Sequence, residues 1–105
     1  MNEELRKRID DMVKGHRIVL FMKGSPHMPM CGFSASVVET LRAAGAKDVA
    51  AYDVLKDPEV RQGIKDYANW PTIPQVYVDG KFVGGCDIVR EMHERGELAP
   101  LVAGK

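Results

Sequence analysis

The sequence is short of nearly everything that marks a specialised environment. Its longest apolar run, Ile18 to Met22, falls far below the roughly 20 residues a helix needs to cross a bilayer. It has no excess charge: 15 lysines and arginines offset 15 aspartates and glutamates, so no net field draws nucleic acid or an anionic membrane to it. Met1-Asn2-Glu3-Glu4 lacks the basic and apolar regions of a signal peptide, which makes the cytoplasm, or an equally reducing compartment, the expected location. Two cysteines are too few for the disulfide framework of a small secreted domain, so each thiol is read for its chemistry. His16, His27 and His93 share no metal-site spacing, and Pro29 breaks helical register between His27 and Cys31. A mononuclear zinc site is therefore not expected.

What is present is a globular composition, with 45% apolar and 29% charged residues in 105. That fits one domain over residues 1–105. Surface scaling gives such a chain about 5,900 Å² of exposed area when folded, leaving enough buried for an ordinary core.

Leu5, Ile9, Met12 and Val13 recur at helical spacing and predict an amphipathic helix ending near Gly15. Ile18–Met22 reads as a strand covered on both faces. A loop over Lys23–Gly32, broken by two prolines, leads into a helix from about Phe33 to Ala44, with Gly45 as its C′ residue. Val49–Val54 predicts a second strand with Tyr52 and Val54 on one side. Asp57-Pro58 is an N-cap and N1 pair for a helix that turns Val60, Ile64, Tyr67 and Ala68 inward. Trp70–Pro74 interrupts it, and Gln75–Val78 alternates as a third strand. Asp79-Gly80 predicts a tight hairpin into Lys81-Phe82-Val83. After Gly84-Gly85, Asp87 is expected to cap a helix through Ile88, Val89 and Met92 that Gly96 closes, and a short helix follows from Glu97. The first strand–helix–strand unit requires a parallel pair, and the hairpin adds antiparallel strands. The expected class is α/β: a four-stranded mixed sheet flanked by helices, the thioredoxin-like architecture.

Cys31 stands at the end of a Pro- and Gly-rich loop where a helix begins. Helix N-termini favour thiolate over thiol, and Lys23 adds a cation nearby. The alternative, a buried structural cysteine, fits such a loop poorly. A redox dithiol would carry a second cysteine three residues on; here that position is Ser34. Cys31 can therefore form a mixed disulfide with a small thiol or donate its thiolate to a soft metal centre, but it cannot run a dithiol cycle through that position.

Cys31-Gly32-Phe33-Ser34 resembles the signature of the monothiol glutaredoxins of the CGFS class. The resemblance extends through Phe21-Met22-Lys23-Gly24, Trp70-Pro71-Thr72-Ile73-Pro74-Gln75 and Val83-Gly84-Gly85-Cys86-Asp87-Ile88, and points to the short, single-domain type. It implies a glutaredoxin fold, glutathione binding, and a [2Fe–2S] cluster bridging a homodimer. Each subunit's equivalent of Cys31 and two glutathione thiols would complete four thiolates. A cluster held by exchangeable thiols suits carriage to iron–sulfur acceptor apoproteins. Oxidoreductase activity, if present, is expected to be weak and glutathione-dependent. The resemblance also implies a BolA-type partner able to share a cluster, which would suit iron or redox sensing.

The resemblance assigns the glutathione site residue by residue. Lys23 and Arg61 would face the glycyl carboxylate, for which a guanidinium fork is geometrically suited. Either is otherwise a solvated surface cation, and Lys65 is placed to share the role. Ile73, before a proline the resemblance makes cis at Pro74, would pair its backbone with the cysteinyl part. Cys86 and Asp87 would hold the γ-glutamyl end, the helix N-terminus taking its carboxylate and the Asp its ammonium. Cys86 has three readings: a packed small residue, a ligand-proximal thiol, or a disulfide partner for Cys31. Trp70 either walls the site or fills the core. Met28 and Met30 either pack or form an apolar lip for a partner.

Overall fold

The computed structural model describes residues 1–104. Its elements are α1 (Glu3–Lys14), β1 (Ile18–Met22), α2 (Gly32–Ala43), β2 (Ala50–Asp53), a 3-10 turn (Val54–Lys56), α3 (Pro58–Ala68), β3 (Gln75–Val78), β4 (Lys81–Gly84), α4 (Cys86–Glu94) and α5 (Leu98–Val102). The strands form one sheet in the order β2-β1-β3-β4. β1 runs parallel to β2 and antiparallel to β3, and β3 pairs antiparallel with β4. The thioredoxin-like arrangement expected from the sequence is the one observed.

β1 explains the layering. All five of its residues are buried, and successive side chains point to opposite faces. Ile18, Leu20 and Met22 join a core with Val37, Leu41, Val89 and Leu98 from α2, α4 and α5. Val19 and Phe21 join a second core with Ile9, Val13, Val60 and Ile64 from α1 and α3. The sheet is thus covered on both faces, as the continuous apolar run requires. On the α1–α3 side the helices lie so close that a Cβ on Gly63 would sit 2.6 Å from Ile9 Cδ1, which accounts for a glycine inside a helix. The accessible surface is 6159 Å², close to the size-based expectation.

Local chemistry sets the ends of the elements. Asn2 Oδ1 accepts the Leu5 N–H at 2.8 Å and caps α1. Asp57 Oδ1 accepts the Val60 N–H at 3.2 Å, with Pro58 in the first turn of α3. Asp79 and Gly80 have φ of 53° and 78°, as a type I′ hairpin requires. The carbonyls of Leu101 and Val102 at the end of α5 each accept from the Arg17 guanidinium at 2.6 Å, and that of Leu101 also accepts the Gly104 N–H at 3.2 Å.

Two expectations need correction. β2 covers Ala50–Asp53 instead of Val49–Val54, because Asp53 Oδ1 accepts the Leu55 N–H at 3.0 Å and curls the chain into the 3-10 turn. Tyr52 and Val54 still share one core. Asp87 does not cap α4: the helix starts one residue earlier at Cys86, with Gly85 as N-cap and no side-chain cap bond. Asp87 instead lies in the first turn, where its charge still complements the helix dipole.

Candidate functional site

β1 ends at Met22 and α2 begins at Gly32, and the loop between them delivers Cys31 as the N-cap residue of α2. The loop is folded by its own bonds. Met28 N–H donates to the Ser25 carbonyl at 3.1 Å, Ser25 N–H donates to the Met28 carbonyl at 3.2 Å, and Met30 N–H donates to the Lys23 carbonyl at 2.9 Å. Gly24 has φ +85°, and a Cβ there would sit 2.5 Å from the Met28 carbonyl oxygen, so the close return of the chain needs glycine. Ser34, fully buried, occupies the position a second thiol would take in a dithiol motif. Its Oγ accepts the Lys23 N–H at 3.1 Å, tying the end of β1 to the start of α2.

Cys31 makes no side-chain cap bond in the resting thiol form, yet its thiol is held below the ordinary value. The largest cause is the Ser34 backbone N–H, opposed by burial. The Phe33 N–H, the Ser34 hydroxyl and the Lys23 charge add in the same lowering direction. This is the thiolate stabilisation expected at a helix N-terminus.

The sulfur opens into a cleft of about 410 Å³, within the usual size range of small-molecule sites. Lys23, Arg61, Ile73, Cys86 and Asp87 line it together with Cys31, so the residues the resemblance assigns to the glutathione site lie on one cleft, while Met28 and Met30 do not line it. Lys65 lines it too, beside Phe33, Trp70, Thr72 and Pro74. Cations and acid arrive from opposite faces of the sheet: Arg61 and Lys65 on α3, Asp87 on α4. Lys23, Arg61 and Lys65 form no salt bridge among the described residues, whereas Asp87 Oδ1 accepts from Arg90 at 3.2 Å. Cys31 and Cys86 are both free thiols, so no disulfide joins them here. Cys86 packs against the α2–α4 core and also faces the cleft.

The remaining wall is the segment between α3 and β3. Asn69, at φ 50°, ends α3, and the Trp70 N–H returns to the Lys65 carbonyl at 2.9 Å. The Ile73–Pro74 bond is cis. Ile73 buries its side chain, with 8% exposed, while its N–H and C=O have no hydrogen-bond partner among the described residues. That is the state in which an edge receives an extended ligand. From beneath, fully buried Gln75 donates Nε2 to the Trp70 and Thr72 carbonyls at 3.2 and 3.3 Å, and its Oε1 accepts from the Tyr77 hydroxyl at 2.9 Å. Trp70 is both wall and packing: it lines the cleft and its ring lies 5.5 Å from that of Phe82. Its buried Nε1 has no hydrogen-bond partner among the described residues.

Met28 and Met30 are 73% and 67% exposed, and Phe33 is 64% exposed. Phe33 lines the cleft, and the two methionines stand exposed on the loop that leads to Cys31. Sequence reasoning missed Gln75 and Asp53 as supports of the site. The signal for Gln75 was present: a polar residue at an inward position of a strand that is otherwise Val-Tyr-Val. Among the described residues no group of three or more His, Cys, Asp or Glu side chains could hold a metal ion.

The family model for glutaredoxin matches residues 18–83. The chain is 56% identical over 93 residues to the mitochondrial glutaredoxin-related protein 5 of Danio rerio, covering 89% of this chain and 60% of that protein's length. It is 52% identical over 102 residues to an uncharacterized monothiol glutaredoxin ycf64-like of Synechocystis, covering 97% of this chain and 94% of that one. Among solved structures, the solution structure of reduced poplar apo GrxS14 matches with a TM-score of 0.81 at 44% identity, over 95% of this chain and 91% of that one.

Proposed function

We propose, for a chain that belongs to the glutaredoxin family and to its monothiol type, that it binds glutathione in the Cys31 cleft. We propose further that it carries a [2Fe–2S] cluster between two subunits. The observation that carries the reading is the cleft itself. It is lined by one thiol held below its ordinary value, by cations that form no salt bridge among the described residues, and by a helix N-terminus that carries Asp87.

Glutathione matches that layout group by group. Lys23 and Arg61, with Lys65 one helical turn on, offer charge for the glycyl carboxylate. The free backbone of Ile73 offers a donor and an acceptor to the cysteinyl peptide unit. The N–H groups at Cys86 and Asp87 offer donors to the γ-glutamyl carboxylate, and the Asp87 side chain an acceptor to its ammonium. Each pairing is between opposite charges or complementary hydrogen-bonding groups.

The donor set supports a shared cluster. Iron–sulfur clusters take four thiolates, and the cleft of one chain offers Cys31 with its lowered thiol. A second subunit's Cys31 and two glutathione thiols complete the set. A cluster so held is cargo: it supplies transferable iron and sulfide to acceptor apoproteins. The exposed side chains of Met28, Met30 and Phe33 are the surface on which a second copy, a BolA-type protein or an acceptor would close. A reducing compartment such as the cytoplasm keeps Cys31 as a thiol.

The test is anaerobic reconstitution with iron and sulfide, with and without glutathione, beside Cys31→Ser. Visible absorption that requires both glutathione and Cys31 is the expected result. A protein that stays colourless under every condition refutes cluster carriage.

One observation favours a second activity at the same residues. The lowered Cys31 thiol gives up its proton to form the nucleophilic thiolate more readily than an ordinary cysteine. Its thiolate would attack the glutathione sulfur of a mixed disulfide, releasing the other thiolate. A second glutathione thiolate would then regenerate Cys31 and leave as glutathione disulfide. Turnover abolished by Cys31→Ser, in protein free of cluster, is the measurement that distinguishes it.

A further inference from the structure

We propose that Asp53, which lies outside the cleft, is a positioning residue for its glutathione site. Its carboxylate fixes the Gly24 N–H and thereby the Lys23 backbone and the loop that delivers Cys31. The inference rests on the glutathione reading above.

The geometry begins at the end of β2. Asp53 Oδ1 accepts two N–H groups at once, that of Leu55 at 3.0 Å and that of Gly24 at 3.0 Å. The first bond turns its own strand into the 3-10 turn. The second crosses to the neighbouring strand, 29 residues away in sequence. β1 and β2 pair in parallel with Met22 opposite Asp53, so the ladder ends where this bond starts. Asp53 continues the pairing by one step with a side chain in place of a backbone carbonyl.

That step falls where the site is assembled. The Lys23 N–H is held by Ser34 Oγ at 3.1 Å, the Lys23 carbonyl by the Met30 N–H at 2.9 Å, and the Gly24 N–H by Asp53. Three consecutive polar groups of the backbone are therefore held from three elements: α2, the loop itself and β2. Of these three contacts, the Asp53 one ties this point to the edge of the sheet. Gly24 cannot exchange it for another conformation, because its φ of +85° brings the returning chain against it. Lys23 and Cys31, at the two ends of the loop, both line the cleft. Without Asp53 the Gly24 N–H loses its tie to β2, leaving the start of the loop held by Ser34 Oγ and the Met30 N–H, and the Lys23 backbone is less firmly placed relative to Cys31. Asn at this position keeps a carbonyl oxygen in the same place and can accept both N–H groups; Ala cannot, and the Ser hydroxyl is too short to reach both.

The test measures calorimetric binding of reduced glutathione to wild type, Asp53→Ala, Asp53→Ser and Asp53→Asn. Amide exchange at Gly24 is followed in each. Tyr67→Phe serves as a control that removes a distant hydrogen bond, Tyr67 to Asp10. Asp53→Ala and Asp53→Ser are expected to weaken glutathione about fivefold or more, the equivalent of one ordinary hydrogen bond, and to expose the Gly24 amide to exchange. Asp53→Asn is expected within about twofold of wild type, and Tyr67→Phe unchanged. Asp53→Ser keeps the test open if Asp53→Ala does not fold. Unchanged affinity in Ala and Ser, or equal losses in Ala, Ser and Asn, overturns the inference. Wild type that binds no glutathione refutes the underlying reading instead.

Discussion

Replacing Gln75 by Leu tests how the cis-proline wall of the cleft is held. Gln75 is fully buried and makes three hydrogen bonds: two from Nε2 to the Trp70 and Thr72 carbonyls and one received from the Tyr77 hydroxyl. Leucine fills a similar volume, so little cavity is created, and its apolar surface is favourable to bury. The cost comes from the partners left behind. The Tyr77 hydroxyl, only 1% of whose residue is exposed, loses its acceptor, and two loop carbonyls lose a donor. At about 1–3 kcal/mol for a buried orphan and less for carbonyls that water reaches, the net loss comes to about 2–4 kcal/mol. In a domain of this size that lowers the melting temperature by about 10–20 °C. Tyr77→Phe alone removes one of the three bonds and is expected to cost about 1 kcal/mol. In the double variant the Tyr77 orphan no longer exists, so the two losses do not add, and the cycle returns a coupling of about 1 kcal/mol. Urea unfolding followed by circular dichroism measures all four corners. A Gln75→Leu loss below about 1 kcal/mol, or simple additivity, would refute the view that this side chain supports the wall.

Gly24→Ala is expected to cost about 3 kcal/mol, since it combines a left-handed backbone with a Cβ 2.5 Å from the Met28 carbonyl oxygen; a thermal melt within a few degrees of wild type would contradict it. Trp70→Phe removes a buried N–H that has no partner among the described residues, so the relief offsets the smaller ring and stability stays within about 1 kcal/mol of wild type; a loss above about 2 kcal/mol by urea unfolding would show that the N–H is satisfied. Tyr67 is pushed up to about 12 by burial first and by its bond to Asp10 second. Its protonated form is favoured in the folded state, so its contribution is complete below the unfolded value of 10.0, fades as pH rises above it, and is lost at about 12. Unfolding free energy measured across that window should fall less steeply in Tyr67→Phe, and an unchanged slope would refute the assignment.

The elements legible from sequence were those whose cause is local. A fully apolar run gave β1, Asp57-Pro58 gave the start of α3, and Asp79-Gly80 gave the hairpin. Apart from Arg61 on α3, the motif residues were legible because they lie in four short segments, each of which the fold brings to one cleft. Asp53 was not legible as a support, because its partner, the Gly24 N–H, lies across a parallel pair in another segment; Gln75 showed only as a polar residue at an inward strand position, its carbonyl partners Trp70 and Thr72 lying beyond a cis bond. Such contacts leave no periodicity behind. Asp87 misled for the opposite reason. It is a good capping residue type next to a helix, but Gly85 and Cys86 start that helix before it.

The central claim is that one chain's Cys31 holds a cluster together with a second chain and with glutathione. Native mass spectrometry of the reconstituted protein tests it most directly, because it counts chains, glutathione and cluster in one species. Two chains, two glutathione molecules and one [2Fe–2S] unit are expected in that species, which is absent from Cys31→Ser. A single chain holding a cluster, or a dimer holding one without glutathione, would contradict it.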